Sequence, residues 1–134
     1  MATEDTKSGP NLALYGASTV EDDDPFTLIA TTKIASLTHV RLYQSTLVEH
    51  IFPGHPEVEM IGEEGIVEAL ENPSFILEST TRPKDSVVFV SEKTTYEGRP
   101  LHVPVRIIVG TSGRVPTSYF GDTSAGALKI WPRK

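Results

Sequence analysis

The segment Leu101-His102-Val103-Pro104-Val105-Arg106-Ile107-Ile108-Val109, followed by Gly110-Thr111-Ser112-Gly113 and then Arg114-Val115-Pro116-Thr117-Ser118-Tyr119-Phe120, decides the reading of the fold. Its two flanking runs are the clearest strands in the chain, and the glycine-bounded quartet between them joins them as a hairpin. A symmetric turn places Val109 opposite Arg114 and Arg106 opposite Thr117, and directly opposed side chains share a sheet face. One face then carries Val103, Val105, Ile107, Pro116, Ser118 and Phe120, mostly apolar and suited to packing on helices. The other carries His102, Arg106, Ile108, Thr117 and Tyr119. A guanidinium fork beside a hydroxyl donor makes an oxyanion-binding patch there. A turn one residue shorter or longer reverses the faces on one strand and separates the pair. Arg106 could equally be an exposed sheet residue that rests its stem on Tyr119.

Upstream of this hairpin, Ser74 to Ser79 and Val87-Val88-Phe89-Val90 read as further strands, with a turn at Arg82-Pro83-Lys84-Asp85 between them. Ile66, Val67 and Leu70 fall at helical spacing and predict a helix over about Glu63 to Leu70. A shorter helix contains Glu49, His50 and Ile51, is capped by Ser45 or Thr46, and is stopped by Pro53 and Gly54. Thr38 to Tyr43 alternates as a strand with Val40 and Leu42 inward, and Phe26 to Leu37 reads as extended chain. Ala127 to Trp131 is a last strand or a packed segment. The expectation is an α+β domain at residues 26–134, with short N-terminal helices packed on one face of an antiparallel β-sheet. Residues 1–25, with the block Glu21-Asp22-Asp23-Asp24-Pro25, read as a flexible acidic tail, because like charges in a row repel and resist packing.

At 134 residues the chain suits one compact domain, and 38% hydrophobic residues is enough for a core. No apolar run approaches the roughly 18–20 residues of a transmembrane helix, and no signal peptide is expected. The absence of cysteine removes disulfides, thiolate nucleophiles and zinc–sulfur sites. The net charge of −6 hides an asymmetry. Residues 1–80 hold three Lys/Arg and fourteen Asp/Glu, a net of −11, whereas residues 81–134 hold nine and four, a net of +5. A cationic C-terminal part is either ordinary solvated surface or a surface that attracts polyanions, nucleic acid among them.

His50-Ile51-Phe52-Pro53-Gly54-His55-Pro56-Glu57 carries two of the four histidines across a Pro-Gly break. Histidine titrates near neutrality, so the pair is a candidate for acid–base chemistry; the alternative is a structural role. The i,i+5 spacing across the break does not match two ligands on one helical face, and no metal site is expected. Gly110 to Gly113 joins strands and opens no helix, which argues against a phosphate loop, and no nucleophile elbow is present. Metal-free RNA cleavage fits these parts better. The substrate's own 2′-hydroxyl is the nucleophile, and the protein supplies a base, an acid and cationic or hydroxyl donors for the phosphate. His50, His55, Arg106 and Thr117 are the candidate catalytic residues, and no cofactor is needed. Lys93, Arg99 and Arg114 lie nearby in sequence.

The His50 to Glu57 segment resembles the H-I-x-x-x-H-P-E signature of phage- and toxin-associated nucleases of the barnase–EndoU–colicin E5/D–RelE-like superfamily. Ile66 to Pro73, Val87 to Lys93, Leu101 to Val109 and Val115 to Tyr119 resemble its later elements in order, so the likeness spans about residues 38–131. Members usually carry a basic residue before the second histidine, where this chain has Gly54. The resemblance implies an endoribonuclease with His50 as leading acid/base, His55 second or orienting, and Arg106 and Thr117 on the phosphate. It further implies Lys93, Tyr119 and Arg114 as substrate-binding residues and tRNA or mRNA as substrate. The implied site of action is cytoplasmic, after delivery from another cell or a phage, with an immunity protein as partner. Oligomeric state is left open. Two other readings remain: a non-catalytic phage-derived binding or structural module of the same fold, and an acidic immunity-type protein that captures a basic toxin through Glu63, Glu64, Glu68 and Glu71.

Overall fold

The computed structural model describes residues 24–124 and 126–132. The expected acidic tail, apart from Asp24 and Pro25, therefore lies outside the described residues. The fold is α+β. Strands β1 (Phe26–Ile29), β2 (His39–Tyr43), β3 (Phe75–Glu78), β4 (Ser86–Tyr96), β5 (Arg99–Val109), β6 (Ser112–Arg114), β7 (Tyr119–Phe120) and β8 (Lys129–Trp131) form one mixed sheet. Their spatial order is β1-β2-β6-β5-β4-β3-β8, with β7 pairing β5 beyond the end of β6.

The long β4–β5 hairpin is the centre of the sheet. Val87 pairs with Val105, Phe89 with Val103 and Ser91 with Leu101, and all six are buried. Because side chains alternate along a strand, the intervening residues Ser86, Val88, His102, Pro104 and Arg106 point to the opposite face. Alternation also sorts β2, where Val40 and Leu42 are buried while His39 and Arg41 are exposed.

The helices are short and lie between β2 and β3. Gln44–Thr46 (α1) runs into a π-helical turn at Leu47–Ile51 and then Phe52–Gly54 (α2). The Phe52 amide bonds the Leu47 carbonyl, a wide i→i−5 turn. Pro53 follows at once, lacks an amide hydrogen and would crowd the carbonyl of Glu49 in a regular α-turn. Pro56–Glu59 (α3) and Gly62–Glu71 (α4) complete the helical part. Ile66, Ala69 and Leu70 of α4 enter the core, and α4 packs against β4, β5 and β1. No described helix is long and apolar enough to cross a membrane.

Three expectations need correction. The sheet is mixed, because β2 runs parallel to β6. The tight turn after β5 leaves an open edge on β6, and β2 fills it from the far side of the helical connection. The helices follow two strands, as β1 and β2 come first, so they are not at the N-terminal end of the domain. Extended structure from Phe26 stops at Ile29, and the Thr32 hydroxyl, its one hydrogen shared between the carbonyls of Ile34 and Leu37, turns the chain.

The hairpin register also differs. Gly110, at φ +58°, turns the chain with Thr111, and Ser112 is already in β6. Arg106 pairs with Arg114 and Ile107 with Gly113, so Thr117 is not opposite Arg106. The expected continuous strand from Arg114 to Phe120 is broken between β6 and β7. Proline explains the break. The Ile107 amide points to β4, where it bonds the Asp85 carbonyl at 2.7 Å, so even-numbered residues of β5 direct their backbone toward β6 and β7. Pro104 has no donor to give on that side, and the neighbouring segment, itself holding Pro116, leaves the ladder there.

This register brings Gly113 into close contact. A Cβ at that position would sit 2.8 Å from the Arg106 carbonyl oxygen and 2.9 Å from Val105 Cγ1, whereas one at Gly54 would meet nothing within 4 Å. Gly113→Ala is expected to lower unfolding free energy by about 1–3 kcal/mol. Gly54→Ala should stay within about 0.5 kcal/mol of the parent. Urea unfolding of the two variants checks this, and equal stabilities would contradict the β5–β6 register.

Candidate functional site

The face of β4 and β5 turned away from the core forms the floor of a cleft of about 380 Å³. Ser86, Val88, His102, Pro104 and Arg106 supply that floor. One wall is the Ser79–Arg82 stretch, and the other is the broken segment with Pro116, Thr117 and Tyr119. The first wall is braced by its own hydrogen bonds. The Arg82 amide donates to Ser79 Oγ at 3.0 Å, and the Arg82 guanidinium grips Asp85 through Nε at 3.0 Å and Nη2 at 2.7 Å. That ion pair raises the Arg82 pKa and holds the Asp85 carboxyl below its usual range, first through the hydrogen bond between them.

His102 is the most buried titratable group on the floor, at 3% exposure. Its Nδ1 lies 3.0 Å from the Pro100 carbonyl oxygen. A carbonyl can only accept, so Nδ1 carries the hydrogen and Nε2 is left with a lone pair. Burial pushes the imidazole pKa down, which favours this neutral form. Among the described residues, Nε2 has no hydrogen-bond partner, and neither does the buried Nε of Arg106. Buried polar atoms without partners are uncommon in proteins because each costs desolvation free energy, so two in one cleft mark a place for a ligand or ordered water. Tyr119 stacks on His102 with ring centroids 5.1 Å apart and planes 22° apart. Burial raises the Tyr119 pKa, which keeps its phenol protonated and able to donate. Buried Ser118 ties the broken segment to β5 by donating to the His102 carbonyl at 2.8 Å.

Three of the residues expected from sequence, Arg106, Thr117 and Tyr119, line this one cleft. They share the cleft although Arg106 and Thr117 are not cross-strand partners, because the segment that leaves the ladder returns to pair with β5 at Tyr119 and Phe120. His55 sits beside the cleft, 6.1 Å from Tyr119 ring to ring, with Nδ1 3.9 Å from Glu57 Oε2. His50 is exposed on the π-helical turn and does not line the cleft. Lys93 is exposed on β4, in the irregular stretch between the Ser91–Leu101 and Thr95–Pro100 pairs. Arg114 lines a separate groove with Arg41 and Tyr43. The acidic residues Glu63, Glu64, Glu68 and Glu71 border a shallow groove along α4. His102 lines the cleft as well, beyond the candidates that the sequence motifs name. Its signal was the i,i+4 spacing from Arg106 on one strand, which puts both on one face. Among the described residues, no three His, Cys, Asp or Glu converge as a metal-binding group.

The lowered His102 pKa gives a pH dependence of stability. The unfolded imidazole takes its proton first as pH falls through about 6.5, so the contribution of the neutral buried ring is present above that value. It is lost as pH falls toward the folded pKa, with a slope of up to about 1.4 kcal/mol per pH unit. His102→Gln should therefore lose less stability than the parent between pH 7 and pH 5. Parallel denaturation curves across that range test it, and identical slopes would contradict it.

No family model matches the chain, no curated protein matches its sequence, and no solved structure matches it.

Proposed function

We propose that the chain is a metal-independent endoribonuclease that works in the β4–β5 cleft. The observation that carries this reading is the gathering of Arg106, Thr117, Tyr119 and an unpartnered imidazole nitrogen of His102 in one cleft. In this reading the helices cover one face of the sheet and leave the other to RNA. The resemblance of the His50 to Glu57 segment to toxin-associated nucleases supports the same chemistry, with tRNA or mRNA as substrate and an immunity protein as partner.

The residues divide as follows. Arg106 and Thr117 bind the non-bridging phosphate oxygens, a fork and a hydroxyl placed where negative charge grows in the transition state. The 2′-oxygen attacks phosphorus, the bond to the 5′-oxygen breaks, and a 2′,3′-cyclic phosphate is left on the upstream strand. His102 Nε2 is the lone pair nearest the floor and accepts the 2′-hydroxyl proton once RNA opens the packing around it. Tyr119 or His55, at the cleft edge, returns a proton to the departing 5′-oxygen. Lys93 and Arg114 extend the cationic surface for flanking phosphates. His50, the leading candidate from the sequence motif, is a positioning or peripheral group in this scheme, since it is not among the residues lining the cleft.

A non-catalytic RNA-binding module is the second reading, favoured by the burial of His102 Nε2 and the exposure of His50. Incubation of the full chain with tRNA and mRNA in excess EDTA separates the two. The nuclease reading predicts cleavage that EDTA leaves intact and cyclic-phosphate ends. Arg106→Ala and His102→Gln should each lower the rate by roughly 10²–10⁴-fold, and Thr117→Ala less. His50→Ala should retain most activity. RNA left uncut by the parent, or cut equally well by Arg106→Ala, would overturn the reading.

A further inference from the structure

A row of cations crosses the sheet beside the cleft. Arg106 of β5 is the cross-strand partner of Arg114 in β6, and Arg114 is the partner of Arg41 in β2. The row ends at Ser86 on one side and Leu28 on the other, with no acidic residue in it. Directly opposed residues share a face. Neighbouring burial fixes which face it is. Val40 and Leu42 enclose Arg41 in sequence and are buried in the core, and a Cβ on Gly113 would strike core atoms of Val105 and Leu37. Arg41 and Arg114 therefore project on the same side as Arg106, the side of the cleft. Adjacent strands are about 4.8 Å apart, so the backbones that hold the guanidinium groups follow one another at that step.

Like charges directly opposed across strands destabilise a sheet. The arrangement makes sense when a polyanion lies along it. At the far end the row turns aromatic. The Arg41 guanidinium lies over the Phe26 ring, 4.8 Å from its centroid, and its Nη1 is 3.4 Å from the Tyr43 hydroxyl. Phe26 and Tyr43 meet edge to face at 5.3 Å, and Phe26 is 44% exposed. A groove of about 270 Å³ lined by Arg41, Tyr43, Ile108 and Arg114 connects these features. Proteins hold single strands by combining a cationic groove with exposed aromatic rings. The cations follow the phosphates and the rings stack on bases.

We infer that this row is a binding track for single-stranded RNA, carrying the strand from the cleft at Arg106 across Arg114 and Arg41 to a base-stacking end at Tyr43 and Phe26. The track deepens the proposed function by naming the form of the RNA and the path of its flank, and it rests on that reading only for the chemistry performed at Arg106. A duplex cannot splay a base onto the rings, so the track selects single strands.

The test uses the full chain and a fluorescent single-stranded oligoribonucleotide with 2′-O-methyl groups, which resists 2′-hydroxyl attack and so reports binding alone. Anisotropy is followed across salt concentrations. Arg41→Ala and Arg114→Ala should each weaken binding and each reduce the slope of log affinity against log salt by about 0.7. Arg41→Lys should keep the slope. Tyr43→Ala should weaken binding roughly tenfold with the slope unchanged. Lys129→Ala, on the opposite sheet edge, should bind like the parent. The same sequence as a duplex should bind more weakly. Unchanged affinity and slope in both arginine variants would overturn the track, as would preference for poly-glutamate over the single strand. If the variants behave as expected but the parent never cuts unmodified RNA, the track stands and the nuclease reading falls. Cleavage with arginine variants that bind like the parent gives the converse.

Discussion

The β4–β5 pairing is the constraint on which the rest of the molecule depends. Its two eleven-residue strands have a side-chain period of two, and every other residue is committed to one face. Val87, Phe89, Leu101, Val103 and Val105 go to the core, and each buried side chain of that size contributes about 1.5–3 kcal/mol. The opposite face inherits Ser86, His102, Pro104 and Arg106 as a consequence. A slip of β5 by one residue would move His102 and Arg106 into the core and Leu101, Val103 and Val105 out of it, so the core's register fixes the geometry of the cleft. Site and stability share one cause.

A second constraint acts on top of this one. Pro104 removes a backbone donor from a central strand, and the sheet answers by letting the next segment lift away between Arg114 and Tyr119. The lifted segment brings Thr117 to the cleft that Arg106 lines. Ser118 repairs part of the lost ladder by bonding the His102 carbonyl, and Gly121 donates to the Pro100 carbonyl at 3.1 Å. The cleft is thus a gap in a sheet, walled by what would otherwise have been a strand.

Much of this was open to reading in the sequence, and the rest failed for identifiable reasons. The α4 helix was legible because Ile66 and Leu70 fall on one side of a 3.6-residue period with glutamates outside it. Pro53 and Gly54 marked a real helix end, and the apolar run of β5 marked a real strand. The parallel β2–β6 pairing was not legible, since alternation in Thr38 to Tyr43 shows a strand but names no neighbour. The turn length was misjudged because Ser112 and Gly113 read as loop residues, whereas Gly113 is in the sheet where a side chain does not fit. His50 lies outside the cleft lining, and a chain-local motif carries no information about which distant strand face it approaches. His102, by contrast, shares a face with Arg106 by strand period alone, and both line the cleft.

The proposed reading rests on RNA entering the cleft with its phosphate on Arg106 and Thr117 and its 2′-hydroxyl at His102 Nε2, and the buried Arg106 Nε and His102 Nε2 have no partner among the described residues. The most direct measurement is nitrogen-15 NMR of those two side chains while an uncleavable single-stranded oligoribonucleotide is added to the full chain. The account predicts that the Arg106 Nε–H and His102 imidazole signals shift most, together with the backbone of Thr117 and Tyr119. Silence at those signals, with shifts confined to the α4 amides or absent altogether, would contradict it.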